Sequence, residues 1–208
     1  MSTTYPVNVE IESPPRFDRT LVLLRILLAI VLAWIGITSG WVACALFAGL
    51  PLLAAISIAR NGAGRYLNED GPRIWRGLTW LLQLSAFMIL LTDTLPSTTH
   101  QPVRFELRTT GNPTVGSALL RFITSIPSGI VMCLLGFVAG FLLVIALMFA
   151  LISAHVPHML LAYLRGMLRW QTRLVAYHAS LVDEYPPFSF DTSDHHTLSA
   201  DQNSAYAA

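Results

Sequence analysis

Two apolar blocks of forty residues, 20–59 and 116–155, dominate the chain, and each is twice the roughly 20 residues that one helical membrane span needs. The first is interrupted only at Gly36-Ile-Thr-Ser-Gly40 and predicts a helical hairpin over about 20–38 and 41–59. The second has Gly136 near its middle and predicts spans over about 116–134 and 137–155. A third helix follows each block, at about 73–93 and 158–182. In the later one, Arg165, Arg169 and Arg173 share a face with Thr172 and Ala176, opposite Tyr163, Met167, Trp170 and Leu174. An arginine stripe facing a wide apolar face suits a helix lying in the interface. As a lipid-exposed span it would cost several kcal/mol, at about 2.5 to 3.5 per arginine. In the earlier one the unbroken apolar run, Trp80–Leu91, is only 12 residues long, and Arg73, Arg76 and Gln83 share a face. Short alternating segments precede both blocks, VNVEI at 7–11 and VRFEL at 103–107. They predict two strands that can pair if something, such as the third helices, supports the ribbon.

The two halves correspond residue by residue. A shift of 96 aligns Glu10 with Glu106, Leu23-Leu24-Arg25 with Leu119-Leu120-Arg121, and Gly40 with Gly136. A shift of 90 aligns Trp80 with Trp170, Ala86 with Ala176, Leu91 with Leu181, Asp93 with Asp183 and Pro96 with Pro186. The register change puts six extra residues in the first half, most simply in the loop NGAGRYLNEDGP, 61–72. Tandem duplication is the reading, with a first membrane repeat over 1–96, a second over 97–188 and a polar, disordered tail over 189–208. The predicted fold class is an all-α membrane protein of two repeats, each a short strand, a transmembrane hairpin and an interfacial amphipathic helix. It has four spans, with six spans in inverted repeats as the alternative.

Composition supports the membrane reading. Hydrophobic residues make up 54% and charged residues 12%, with mean hydropathy +0.58, against roughly 25% charged in soluble domains. A net charge of +1 gives no reason to expect nucleic acid. All thirteen basic residues are arginine, whose planar fork suits phosphate, although a GC-rich genome yields the same bias. With flat third helices, Arg16, Arg19, Arg60, Arg65, Arg73, Arg76, Arg104, Arg108 and the 165–173 stripe lie on one side. That predicts a multi-pass protein of the bacterial inner membrane with both termini cytoplasmic. Residues 1–18 lack the pattern of a signal peptide, so the first apolar helix is expected to direct insertion. Cys44 and Cys133 read as buried small residues, with a disulfide geometrically conceivable.

Candidate chemistry is sparse. No Gly-x-Ser-x-Gly turn exists, and Ser117, Ser125, Ser128 and Ser153 sit in apolar helices where hydroxyls bond to backbone. His155 and His158 lack a third ligand, and His178 and Asp183 are five residues apart, on different helix faces. Neither enzyme activity, a metal nor a cofactor is expected. No Asp, Glu or Lys lies at mid-membrane, which argues against ion-coupled transport. Pro51 and Pro127 lie inside the predicted spans and should bend them. Arg25 and Arg121 occupy equivalent places early in the first span of each repeat, and each is predicted to latch onto the acid after its third helix, Asp93 or Asp183. Lipid or partner contact is assigned to Arg165, Arg169 and Arg173, with Trp170 and Tyr163 as headgroup-depth anchors. The expected partners are anionic membrane lipids or a membrane protein complex, and the expected role is that of an accessory or scaffold protein. A small transporter or channel is the alternative, and a lipase-like enzyme a remote one.

The run Gly166-Met-Leu-Arg-Trp170, Arg173, Ala176-Tyr177 and Asp183-Glu-Tyr-Pro-Pro-Phe188 resembles the ending of the bacterial domain of unknown function 4389 family. So does the start, Tyr5-Pro-Val7 leading to Val22–Arg25. In the first half the likeness is fragmentary: Gly64-Arg65-Tyr66 is similar to the family's Gly-Arg-Tyr-Pro motif, with Leu67 in place of the proline. The resemblance implies a small bacterial inner-membrane protein without an established activity.

Overall fold

Asp18 opens the first long helix by accepting a hydrogen bond from the Thr20 amide, 2.8 Å, which satisfies one of the orphan donors at a helix start. The computed structural model describes residues 5–35, 39–96 and 103–187. Its elements are β1 (Val7–Ile11), α1 (Arg19–Trp34), α2 (Ser39–Asn61), a single turn α3 (Ala63–Arg65), α4 (Gly71–Met88), β2 (Val103–Leu107), α5 (Val115–Thr124), α6 (Ile126–Ser153) and α7 (His158–His178). A π-helical turn, Tyr66–Asp70, joins α3 to α4. The predicted turn at 36–40 lies partly outside the described residues, as does the whole of the predicted disordered tail.

The mostly helical architecture matches expectation, but the apolar blocks are divided differently. Gly136 is not a turn, and α6 runs through it without a break for 28 residues, about 42 Å. The break comes at Ser125–Pro127 instead. Proline has no N–H to donate to the preceding turn and crowds it, so α5 stops after ten residues. Gly136 serves packing: a Cβ there would lie 3.5 Å from Met167 of α7. Two helices among the described residues are long and apolar enough to cross a membrane, Trp41–Asn61 and Ile126–Ser153. The other two predicted spans are short, since α1 has 16 residues and α5 has ten. The six additional residues of the first half form no open loop, because they fold into α3 and the π-turn that extend α4.

Contacts cross between the halves. α1 packs on α6 and α2 packs on α5, so the first apolar helix of each half lies against the second of the other. Ala139, Ala146 and Ala150 form the buried side of α6, and small residues of this kind let helices approach closely. The strands pair antiparallel with Val9 opposite Phe105, its equivalent ninety-six residues on. This ribbon lies between the third helices, β1 against α7 and β2 against α4. Those helices end in the same cap. Leu91 N–H reaches Ala86 O (2.9 Å) and Leu181 N–H reaches Ala176 O (3.1 Å), with Leu90 and Ser180 left-handed at φ 61° and 54°.

The outward surface is apolar. On α6 the residues Ile126, Ile130, Leu134, Phe137, Phe141 and Met148 form a continuous exposed stripe, and on α1 Leu23, Leu27, Ile30 and Trp34 do the same. Cys44 and Cys133 belong to this outward surface as free, exposed thiols, not to the buried core expected of them. Apolar helices turned this way leave their interior faces to pack on α7 and one another.

Candidate functional site at two arginine–aspartate junctions

A guanidinium on an apolar helix must find acceptors or be drawn to the surface, and both Arg25 and Arg121 are buried, at 1% and 4% exposure. Their acceptors come from the cap after each third helix, where the reversed chain turns carbonyls toward the neighbouring apolar helix. Arg25 Nη2 donates to Thr92 O (2.5 Å) and Asp93 Oδ1 (2.8 Å). Arg121 Nη1 donates to Tyr177 O (2.7 Å) and Val182 O (2.5 Å), and its Nη2 pairs with Asp183. Each guanidinium also lies over a ring at equivalent positions, Phe87 at 4.2 Å and Tyr177 at 4.6 Å. The four predicted latch residues are thus brought together in two pairs.

The junctions differ in closure. At the first, the Asp18 backbone N–H donates to Asp93 Oδ2 (3.0 Å), so the start of α1 covers the acid. At the second, Thr114 occupies Asp18's place and forms a reciprocal capping box with Ser117 instead. The loop ahead of α5 is tied to the cap at Thr110, whose N–H donates to Leu181 O, and beside it a cavity of about 290 Å³ is lined by Asn112, Thr114, Ser117, Leu120, Arg121, Thr124, Tyr177 and Asp183. Asp183 is 44% exposed there, against 17% for Asp93. Gly111, at φ 85°, lets the loop pass the Asp183 carboxylate, which any Cβ would overlap.

The arginine stripe is placed differently from the sequence reading. Arg165 Nε donates to Ser13 Oγ (3.2 Å), Arg169 Nε donates to Val9 O (3.2 Å), and Arg173 lies over the Tyr5 ring. These side chains hold the N-terminal segment and β1 instead of facing open headgroups, because the ribbon covers the polar side of α7. Burial holds the Arg165 guanidinium below its ordinary pKa. Trp170 is not an interfacial anchor but a core residue, 2% exposed. Tyr163 is half-buried and donates to Leu135 O of α6 (3.0 Å). The exposed arginines of the third-helix regions are in the first half, Arg65, Arg73 and Arg76, close to Trp80 in sequence.

Other expected groups fall apart as chemistry. His155 and His158 are exposed at the start of α7, and no group of three metal-ligating side chains occurs among the described residues. His178 is buried against Phe47, its Nδ1 bonded to Leu174 O (2.9 Å) and its Nε2 without a hydrogen-bond partner among the described residues. Burial pushes its pKa below the ordinary 6.5, and Arg121 adds to the effect while the Leu174 bond opposes it. Sequence reasoning missed Tyr66, which is buried and donates to Ala179 O at the α7 cap, and Tyr185, whose hydroxyl meets Ser128. A buried aromatic with a polar tip looks like any apolar residue until the carbonyl it serves is known. Asp70 is tied to Ser57 and Asn61 of α2, and these bonds, Ser57's first, hold its carboxyl below the usual range.

The second junction lies in the part of the chain that has recognisable relatives. Residues 116–189 match the family model of a domain of unknown function, DUF4389. The DUF4389 segment takes in α5, α6, α7 and the cap, with both Arg121 and Asp183. It agrees with the resemblance read from Gly166 to Phe188. No curated protein and no solved structure matches the chain.

Proposed function

We propose that this is a multi-pass bacterial inner-membrane protein of tandemly duplicated origin, without catalytic machinery. In this reading it acts as an accessory or scaffold that meets anionic lipid or a membrane partner. The observation that carries the membrane reading is the outward stripe along α6. Six large apolar side chains exposed over one helix far exceed what a water-soluble surface tolerates. Duplication is supported by the paired caps, the paired arginine junctions and the strand register centred on equivalent residues.

Parallel halves are favoured over inverted ones by where the third helices are tied. The π-turn before α4 is bonded to the end of α2 through Asp70, and the acid after α4 meets the start of α1. α7 likewise follows the end of α6, and its own cap meets the loop ahead of α5, where Thr110 N–H donates to Leu181 O (3.1 Å). Each third helix therefore begins and ends beside the termini of its own apolar pair and need not cross. Both termini then share the ribbon's side, the cytoplasmic one by the arginine distribution. The lipid or partner contact moves from α7 to the first half, where Arg73, Arg76 and Trp80 are exposed.

Lipid carried through purification tests this assignment. Arg73→Gln with Arg76→Gln should lower the anionic lipid retained per protein by at least about twofold, given roughly 1 kcal/mol for each arginine near an anionic surface. Arg165→Gln, Arg169→Gln and Arg173→Gln together should instead loosen the N-terminal segment to proteolysis. Unchanged lipid in the α4 variant, or selective lipid loss in the α7 variant, would return the contact to α7.

A further inference from the structure

We propose that the cavity at the second junction is a lipid site that takes the uncharged polyol portion of a headgroup, of the glycerol or sugar class. Nη1 of Arg121 is given to two backbone carbonyls and Nη2 to Asp183. The guanidinium is thus a wall of the cavity whose principal donors are already taken, and a phosphate gains little from it. A cation is no better served, because the charge of Asp183 is already compensated by an arginine in contact with it.

What faces the cavity in quantity is neutral. The Ser117 hydroxyl is used in the capping box, accepting from Thr114 N–H and donating to Thr114 O, which leaves the Asn112 amide, the Thr114 hydroxyl proton and the Thr124–Tyr177 hydroxyl pair to donate and accept, with the half-exposed Asp183 carboxylate as a further acceptor. Such a set matches a ligand with several hydroxyls, each able to donate to one neighbour and accept from the next. Thr124 Oγ1 and Tyr177 Oη, 3.2 Å apart, form a ready pair in the lining. At the rim stands Leu120, an exposed apolar side chain next to exposed Leu119 and one turn from exposed Ile123. A molecule with its polar end in the cavity can lay an acyl chain along this outward side of α5, which is why a lipid fits better than a free polyol. At the first junction the Asp18 amide donates to Asp93 Oδ2 and covers the acid, which is 17% exposed.

The proposal rests on the membrane reading, which extraction of native membranes with alkaline carbonate tests separately: release of the protein there would defeat that reading, whatever the lipid result. The site itself is tested with the full chain in lauryldimethylamine oxide, a detergent without hydroxyls. Thermal unfolding is followed while dioleoyl phosphatidylglycerol, phosphatidic acid or phosphatidylethanolamine is added, and with free glycerol in a further arm. Phosphatidic acid keeps the tails and phosphate but lacks the second glycerol. Two hydrogen bonds at roughly 0.5 to 1.5 kcal/mol each should make phosphatidylglycerol bind about tenfold more tightly than phosphatidic acid. Asn112→Ala with Thr124→Val should erase that ratio without moving the midpoint of the lipid-free protein. If the pair lowers that midpoint, Asn112→Ala alone, at an exposed loop position, should still reduce the ratio. Equal effects of the two acidic lipids would mean anion binding, and preference for phosphatidylethanolamine would mean ammonium binding; either overturns the proposal. A shift from free glycerol matching that from phosphatidylglycerol would overturn the lipid source.

Discussion

Trp80 and Trp170 stand ninety residues apart in corresponding helices that end in the same cap, yet one is 56% exposed and the other 2%. The difference lies in what surrounds each helix. α7 has β1 on its arginine side and contacts with α2, α4, α5 and α6 around the rest. α4 has β2, α1 and α7 as neighbours and keeps Arg73, Arg76 and Trp80 uncovered. Helices that correspond in sequence therefore need not share an environment: α7 lies at the centre of the fold and α4 at its edge.

The strongest way to break this comparison is at the paired junctions, where the helices should still behave alike. Arg25→Met and Arg121→Met each strand an aspartate and its neighbouring carbonyls. Removing one partner of a fully buried pair costs about 3 to 5 kcal/mol, which is the ceiling here because Asp93 and Asp183 are 17% and 44% exposed. Thermal unfolding should place Arg121→Met at the severe end, since Arg121 serves three acceptors and Arg25 two. Exchanging charges, Arg25→Asp with Asp93→Arg, should not restore stability, because the new carboxylate would face Thr92 O. Full rescue would mean that the ion pair alone matters.

Next in size is the contrast between the tryptophans. Trp170→Ala should cost about 3 to 5 kcal/mol by opening a cavity in the core. Trp80→Ala should remain within about 0.5 kcal/mol in detergent, as surface substitutions do. Similar losses at both sites, measured by unfolding midpoints, would show that α4 is covered in solution by something outside this chain.

The smallest expected effect sharpens the comparison at the caps. Ser180 is left-handed, and its buried hydroxyl has no hydrogen-bond partner among the described residues. Ser180→Gly removes a conformational cost of about 1 to 2 kcal/mol and the unpaired group, partly offset by glycine's entropy, so a gain of about 1 kcal/mol is expected. Leu90→Gly relieves the same backbone cost but empties a fully buried position, so it should lower the midpoint. Opposite signs at two equivalent caps would separate backbone from packing contributions.

Much of the architecture was legible because it depends on local pattern. Forty-residue apolar blocks predicted long apolar helices, alternation marked both strands, and the spacing of Arg25, Arg121, Asp93 and Asp183 pointed to their pairing. Pro127 carried the signal for the break that Gly136 does not make: proline removes a helical hydrogen bond wherever it stands, whereas glycine inside a helix can serve close packing. The polar side of α7 was readable as a stripe, but helical periodicity says only which residues share a face, not what will cover it.

That decision belonged to tertiary structure. β1 reaches α7 across more than 150 residues of chain, Arg165 meeting Ser13 and Arg169 meeting Val9. The halves exchange partners through α1 on α6 and α2 on α5. Burial of Trp170, exposure of Trp80 and the different exposure of Asp93 and Asp183 at two like junctions are set by contacts of this long-range kind. Local sequence determined which helices form and which charges need a partner. Long-range packing alone determined which partner each one met, because identical local energetics can be satisfied by a neighbour, by lipid or by a distant strand.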